Sequence, residues 1–501
     1  MSAHPSIDAV MGKLAGLLLP GSFKNLNLKS IEEVPKWAIV AALATGFVSY
    51  KLISRLPCDG IPKVTERLPI VGAAMEYGKD PREYLLKQKR KHGNLFRINL
   101  IAFEPVFVLD HKDQEKLLKA SNSTADFDEA IEKIVGILQP PKEAQDKEWN
   151  AKSHPMIIKG FMRAERLEYT SAIVQKTINE FCSEWASRDQ IELFHEASRM
   201  ILTINMRTVL GEDVAATHAH LIPHYQAMED LISHPMTNAF LTRLNPWYRK
   251  CWDHHHTLVV AMRAECDKRI NADGSAKEEF KGRQDYLQMV LNEFGGRYNH
   301  VLPYHIVGIL LAAHTNTAGH FAWTLANIVA SPKILSAVRE GALSHERNEY
   351  LEACVRETGR IYTGFLFNRL LKEDMVMEDG RVLKKGTFTA MSNMTTNFDE
   401  QLFPNPYKYD PTRYLNAPAT LLRSPIYLQF GTGPHKCLGE RFAHQVLRSG
   451  LTTFVNNFEA EYVEAVKDGD GNVRVPPLSW RRMLGTMWSE EGVWVRVSRR
   501  A

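Results

Sequence analysis

Residues Phe430 to Gly439 read FGTGPHKCLG, and ERFAHQVLRSGL follows at once, from Glu440 to Leu451. The first run is a turn: its glycines allow a tight backbone path around the cysteine. The second has helical spacing of apolar residues, so Cys437 sits just ahead of a helix start. There the positive end of the helix dipole favours an anionic sulfur. A thiolate in such a loop is a metal ligand or nucleophile; the plain alternative is a structural cysteine in a glycine-rich turn. Cys58, Cys182, Cys251, Cys266 and Cys354 are scattered without CxxC pairs. That pattern fits neither a disulfide framework nor a zinc ribbon.

Upstream of this loop, YLEACVRETGRIY places Glu357 and Arg360 three residues apart, on one helix face. Arg369 follows in FLFNRLL, and Arg413 lies in FPNPYKYDPTRYL. From Pro303 to about Ala330 runs VGILLAAHTNTAGHFAWTLANIVA, with proline near the start and apolar residues nearly all round. This predicts a long buried helix. Helical periodicity dominates from about Asp110 to Ala330. Two strand-like runs, GNLFRINL and FEPVFVLD, precede it, following a charged amphipathic helix from Pro81 to His92. After the cysteine loop the chain is β-rich. Asp379-Gly380 and the stretch from Asp468 to Asn472 read as hairpin turns.

Phe430, Gly433, His435, Cys437 and Gly439 match the pattern FxxGx(R/H)xCxG. With the ExxR pair and Arg413 in the same order, the chain resembles the cytochrome P450 family. The resemblance implies a mainly α fold with small β-sheets, and a haem b between the long central helix and the thiolate-side helix. It implies that Cys437 is the axial ligand of the haem iron, in a cofactor-binding loop with Phe430, Gly433, His435 and Gly439. Thiolate ligation pushes electron density onto the iron and favours cleavage of the O–O bond. By the same resemblance Arg369 pairs with a haem propionate, and Glu357, Arg360 and Arg413 form a buried charge network. Ala312, Ala313, Asn316, Phe365, Thr486 and Met487 become expected substrate-pocket positions.

The central helix departs from the family pattern. Where most monooxygenases carry (A/G)Gx(D/E)TT, this chain has Ala312-Ala313-His314-Thr315-Asn316-Thr317. Anchoring the register on Trp323 puts Thr315 at the acid and Asn316 at the alcohol, with Thr317 following. An amide orients a water or a peroxide oxygen, but relays protons less readily than a hydroxyl beside a carboxylate. Asn at this place is similar to the bile-acid sterol hydroxylases and prostacyclin synthase. The expected activity is therefore a monooxygenase acting on a lipophilic small molecule with O2. A P450-type isomerase or dehydratase that needs no reductase is the alternative, and a non-catalytic haem sensor ranks last. A register shifted by one would pair His314 with Thr315, as in sterol demethylases, but breaks the spacing to Trp323.

The segment Trp37 to Ile53, WAIVAALATGFVSYKLI, is a short membrane-span candidate. No small-residue cleavage site follows it, and Lys51, Arg55, Lys63 and Arg67 lie on its C-terminal side. Residues 1–56 are thus expected to form a single-pass anchor in the endoplasmic reticulum membrane. Residues 57–67 form a stiff hinge around Pro57 and Pro62, and residues 68–501 a cytosolic catalytic domain. The resemblance adds NADPH-cytochrome P450 reductase as electron donor, docking near Lys436 and Arg441, and a biosynthetic substrate such as a terpenoid, steroid, polyketide or alkaloid. Net charge is +4, with basic residues spread along the chain. Nucleic acid is not expected as a partner.

Other motifs carry less. His254-His255-His256 is consecutive on a helix, so its side chains diverge and a solvated face is expected. Asp468, Asp470 and Asn472 begin like a calcium loop, but Val473 and Ser479 occupy the places of its glycine and glutamate. Trp149, Lys152 and His154 are too loosely spaced to be given a role. The sequons at Asn122 and Asn393 are read as chance matches.

Overall fold

The computed structural model describes residues 60–500, except 65–72, 101–103, 235–236, 238–244, 344–347, 365, 416, 418–428, 464, 466 and 481–484. The Trp37–Ile53 segment lies outside the described residues. Numbering the longer helices in chain order gives α1 (Pro81–His92), α2 (Lys147–Ile157), α3 (Ala164–Trp185), α4 (Leu193–Leu210) and α5 (Ile222–Ser233). They continue as α6 (Pro246–Lys268), α7 (Leu302–Ala330), α8 (Pro332–Leu343), α9 (Glu349–Tyr362) and α10 (Glu440–Asn457). The fold is mainly α, as expected.

α7 is the central helix. Pro303 sits in its first turn, where a missing N–H costs nothing. It packs against α4, α6, α9 and α10. Its C-terminal half is held by Trp323, which is fully buried, stacks on Tyr362 at 4.0 Å and donates Nε1–H to the Met487 carbonyl at 2.6 Å. Apart from Val329 near its end, exposure along α7 is confined to a stripe at residues 304/305, 308/309, 312/313 and 315/316. That spacing of three to four residues marks one helix face that opens on space rather than on packed side chains. A side chain added at Gly308 would meet nothing within 4 Å.

The strands are short. The larger sheet has the order β1 (Leu95–Arg97), β2 (Val106–Val108), β8 (Phe388–Ser392), β5 (Leu366–Leu371), β3 (Ala125–Asp126). Only the β2–β8 pair is parallel. A second sheet joins β4 (Ile191–Glu192), β10 (Trp494–Arg499) and β9 (Phe458–Tyr462), and a hairpin joins β6 (Met375–Val376) to β7 (Val382–Leu383) across the Asp379-Gly380 turn. Arg369 projects from β5, in register with Thr389 of β8.

Two expectations need correction. Residues 61–64, assigned to the stiff hinge over residues 57–67, dock on β1: Arg97 N–H donates to the Pro62 carbonyl at 2.8 Å, and Val64 N–H to the Arg97 carbonyl at 3.0 Å. An extended edge segment tolerates proline, and Ile61 and Val64 are buried, so the packed body begins before Leu68. His255 is not on a solvated face. It is 1% exposed, beside Trp252 and Tyr304, while His254 Nδ1 lies 3.1 Å from His224 Nδ1. The Asp468–Asn472 stretch is the expected turn, closed by Asp468 N–H donating to the Asn472 carbonyl at 2.9 Å. Among the described residues no single helix is long and apolar enough to cross a membrane.

Candidate active site

The cysteine loop is held by backbone geometry. Cys437 N–H donates to the Phe430 carbonyl at 2.9 Å, closing the turn. Gly433 adopts φ +73°, and a Cβ there would stand 2.4 Å from the Leu118 carbonyl oxygen, so only glycine fits. Gly439 is the N-cap of α10, so the backbone N–H groups of Gly439 and Glu440 lie on the sulfur side of the turn and pull the Cys437 pKa down. The sulfur is accessible, yet desolvation is the first cause of its raised pKa, ahead of the opposing pull of those donors. Both hold because it opens into the molecule's interior. Backbone donors on a thiolate are what an iron ligand requires to temper the basicity of its sulfur.

Facing this loop is the open stripe of α7. Asn316 and Thr317 line one cavity together with His320, Thr363, Phe430, Ala443 and Thr486. The central helix and the thiolate side thus meet across a single space, walled by Phe430 and the first turns of α10. Ala312 and Ala313 lie one turn before Asn316 on the same stripe. Thr315 turns its hydroxyl back to the Leu311 carbonyl at 2.9 Å, which ties up the proton a relay would use. Met487 is buried and packs towards Gly364, holding α7 through its carbonyl. Phe365 is outside the described residues.

His314 points to the opposite side of α7. Its Nε2 lies 3.0 Å from Ser198 Oγ on α4, and its Nδ1 3.0 Å from Glu229 Oε2 on α5, off-line for a hydrogen bond. The shifted register, which would bring His314 and Thr315 to the reacting face, is not what the structure displays. Asn316 lines the cavity, together with Thr317 and His320.

At the edge of the site lies a cationic cluster. Arg369 is 2% exposed, its Nη1 donates to the Asn368 carbonyl at 2.8 Å, and its Nε has no hydrogen-bond partner. The guanidinium lies over the Phe127 ring at 5.1 Å, and desolvation pushes its pKa down to about 10. His435 stacks on the other side of this cluster, 4.4 Å from the Phe127 ring, and donates Nε2–H to Asn122 Oδ1 at 2.7 Å. Burial first, then Arg369, lowers the His435 pKa and keeps it neutral. A buried guanidinium without a carboxylate is expensive. An anionic group such as a propionate satisfies it, and the donor set of a thiolate, a guanidinium and an imidazole fits an iron porphyrin.

Behind the loop, Arg360 donates Nε–H to Glu357 Oε2 and an Nη2 hydrogen to Oε1, each at 2.8 Å. Arg413 Nε reaches Glu357 Oε1 at 3.3 Å, and Asp410 N–H reaches the same oxygen at 2.9 Å. The three residues named from the sequence are therefore together and largely buried.

The sequence reading missed Asn122, which anchors His435, and His320. The buried imidazole of His320 donates Nε2–H to the Val355 carbonyl at 2.7 Å, and desolvation pushes its pKa down to about 4. No motif marks His320, and Asn122 lies in a tripeptide read as a chance sequon; its Nδ2 also donates to Asp128 at 2.8 Å. Trp149 is a core residue against Tyr298 and His305, whereas His154 lies near enough to bias the titration of His435.

Comparison with known proteins agrees with this geometry. The family model described as Cytochrome P450 matches residues 62–477. The cytochrome P450 monooxygenase pynD of Aspergillus niger is 25% identical over 85% of this chain and 91% of its own length. Lanosterol 14-alpha demethylase of Cunninghamella elegans is 22% identical over 84% and 89%, respectively. The solved structure of a retinoic acid bound cyanobacterial CYP120A1 superposes with a TM-score of 0.72 at 17% identity, covering 88% of this chain and 99% of that one. A cysteine loop under one face of a long buried helix, matched over most of the chain by the family model, places this protein in the cytochrome P450 family as a haem-iron monooxygenase.

Proposed function

We propose that the chain oxidises a lipophilic small molecule of a biosynthetic pathway with O2, using haem b ligated by Cys437. The observation that carries this is the shared cavity in which Asn316 and Thr317 of α7 face Phe430 and Ala443 beside the cysteine loop. The haem supplies oxygen activation when bound. The chain's own residues do the rest: Phe430, Gly433 and Gly439 shape the thiolate loop, Arg369 and His435 hold the propionate edge, and Ala312, Ala313 and Thr486 bound the substrate space. The name of the Aspergillus niger relative supports monooxygenation. Residues 1–56 serve as a single-pass anchor in the endoplasmic reticulum membrane, with the catalytic body cytosolic. NADPH-cytochrome P450 reductase supplies electrons by docking near Lys436 and Arg441.

Asn316 and the tied hydroxyl of Thr315 favour a second reading, an isomerase or dehydratase that rearranges its substrate or turns over a peroxide without a reductase. The full chain expressed with a reductase separates the two. NADPH and O2 consumed in step with product support the monooxygenase, whereas peroxide turnover without NADPH supports the isomerase. In either case the reduced protein with carbon monoxide should give the spectral band of a thiolate-ligated haem. Retention of that band in Cys437→Ser would overturn the assignment of the ligand.

A further inference from the structure

Asn316 is not a free amide. Its Oδ1 accepts the backbone N–H of Thr486 at 3.0 Å, and no other hydrogen bond of this amide is found among the described residues. A backbone N–H can only donate, so the atom facing it is the amide oxygen, and the two hydrogens of Nδ2 remain for the cavity that Asn316 lines. The close approach depends on Gly485. It has φ +87°, and a Cβ on it would stand 2.0 Å from Asn316 Oδ1. The Gly485–Met487 segment is itself pinned: Gly364 N–H donates to the Gly485 carbonyl at 3.3 Å, and Met487 N–H to the Tyr362 carbonyl at 3.0 Å.

We infer that Gly485 and the Thr486 N–H are positioning groups that lock the Asn316 amide with its nitrogen, a hydrogen-bond donor, towards the cavity. An unclamped asparagine can turn by half a rotation and present either its oxygen or its nitrogen. The clamp removes that choice, so the site recognises an acceptor atom, such as a carbonyl, ether or peroxide oxygen, in front of Asn316. The inference rests on the haem reading, in which a haem held by Cys437 would lie on the cavity side of Asn316.

Carbon monoxide on the reduced holoprotein is the probe, because a donor facing its oxygen lowers the C–O stretching frequency. Wild type, Asn316→Leu, Gly485→Ala and the double variant are compared by infrared spectroscopy, each first shown to give the thiolate-type carbonyl band. Wild type should give one narrow C–O band, and Asn316→Leu should move it to higher frequency. Gly485→Ala should split or broaden it as the amide loses its lock, and should have no further effect once Asn316 is leucine. Identical C–O bands in wild type and Asn316→Leu would overturn the clamp, as would an effect of Gly485→Ala that persists in the double variant. A wild type without the thiolate band overturns the haem reading, and the clamp with it. If Gly485→Ala yields no holoprotein, the Asn316→Leu shift decides by itself.

Discussion

Arg360 closes on both carboxylate oxygens of Glu357, at 2.8 Å each, and neither side chain has any exposed surface. Two charges this deep hold only because each neutralises the other and further donors are used, Arg360 Nη1 at the Asn397 carbonyl at 2.7 Å and Nη2 at the Lys408 carbonyl at 3.4 Å. Removing one partner of such a pair costs about 3–5 kcal/mol, because the other charge is left buried and unpaired. Glu357→Gln should therefore lower the thermal midpoint of the holoprotein sharply and cut its soluble yield. Arg413→Ala should cost less, about 1–3 kcal/mol. Arg413 is partly exposed and two of its bonds go to the carbonyls of Pro404 and Asn405. Equal midpoints for wild type and Glu357→Gln would sink the argument.

Arg369 makes a prediction about cofactor retention. A guanidinium buried with a free Nε gains its missing partner from a propionate, and a charge-assisted hydrogen bond contributes about 1.5–3 kcal/mol. Arg369→Ala should then release haem to an apoprotein scavenger roughly 10- to 100-fold faster, by the same energy expressed as a rate. Arg369→Lys should fall between, because an ammonium keeps the charge but loses the planar fork. Haem loss from Arg369→Ala at the wild-type rate would remove the residue from the cofactor site.

Local order and period were legible in the sequence, and contacts between distant segments were not. The cysteine loop, the Glu357–Arg360 spacing and the limits of α7 depend on neighbours within one or two turns. Residues close in sequence determine them. The Asn122–His435 bond spans 313 positions, and the Asn316–Thr486 bond spans 170. Their partners are an ordinary asparagine in a turn and a backbone N–H, neither of which carries a sequence signal. The docking of residues 61–64 escaped for a similar reason: prolines suggest a spacer, and only the edge of β1 gives them a bridging partner, Lys63 opposite Arg97. His255 shows the limit of reading consecutive residues as one surface, since a helix turns about 100° per residue and took one imidazole inward.

That buried imidazole has a consequence for acid stability. Burial pushes the pKa of His255 down to about 4 and that of His320 down to about 4, against 6.5 for an unperturbed histidine. The folded protein therefore binds these protons less readily than the unfolded chain. Their contribution is fully present above pH 6.5 and is lost as pH falls towards 4, at a rate of up to about 1.4 kcal/mol per pH unit for each group. His255→Phe, which fills a similar volume and does not titrate, should make the urea midpoint fall less steeply between pH 6.5 and 4 than it does in wild type. An unchanged slope would mean that His255 is not neutral in the fold.

The contacts of His314 predict coupling between helices. Ser198 Oγ on α4 receives an Nε2 hydrogen of Gln226 at 2.9 Å and meets His314 Nε2 at 3.0 Å, while Glu229 on α5 approaches the other ring nitrogen. Ser198, His314 and Glu229 are buried, so a lost partner among them is not replaced by water, at about 1–3 kcal/mol. Ser198→Ala and Glu229→Gln should each speed amide hydrogen exchange in α5 and leave the β1–β2 hairpin unchanged. Both act through one imidazole, so the double variant should cost less than the two single costs added together. Strict additivity would show that Ser198 and Glu229 stabilise the helix pair independently, and that His314 does not join them.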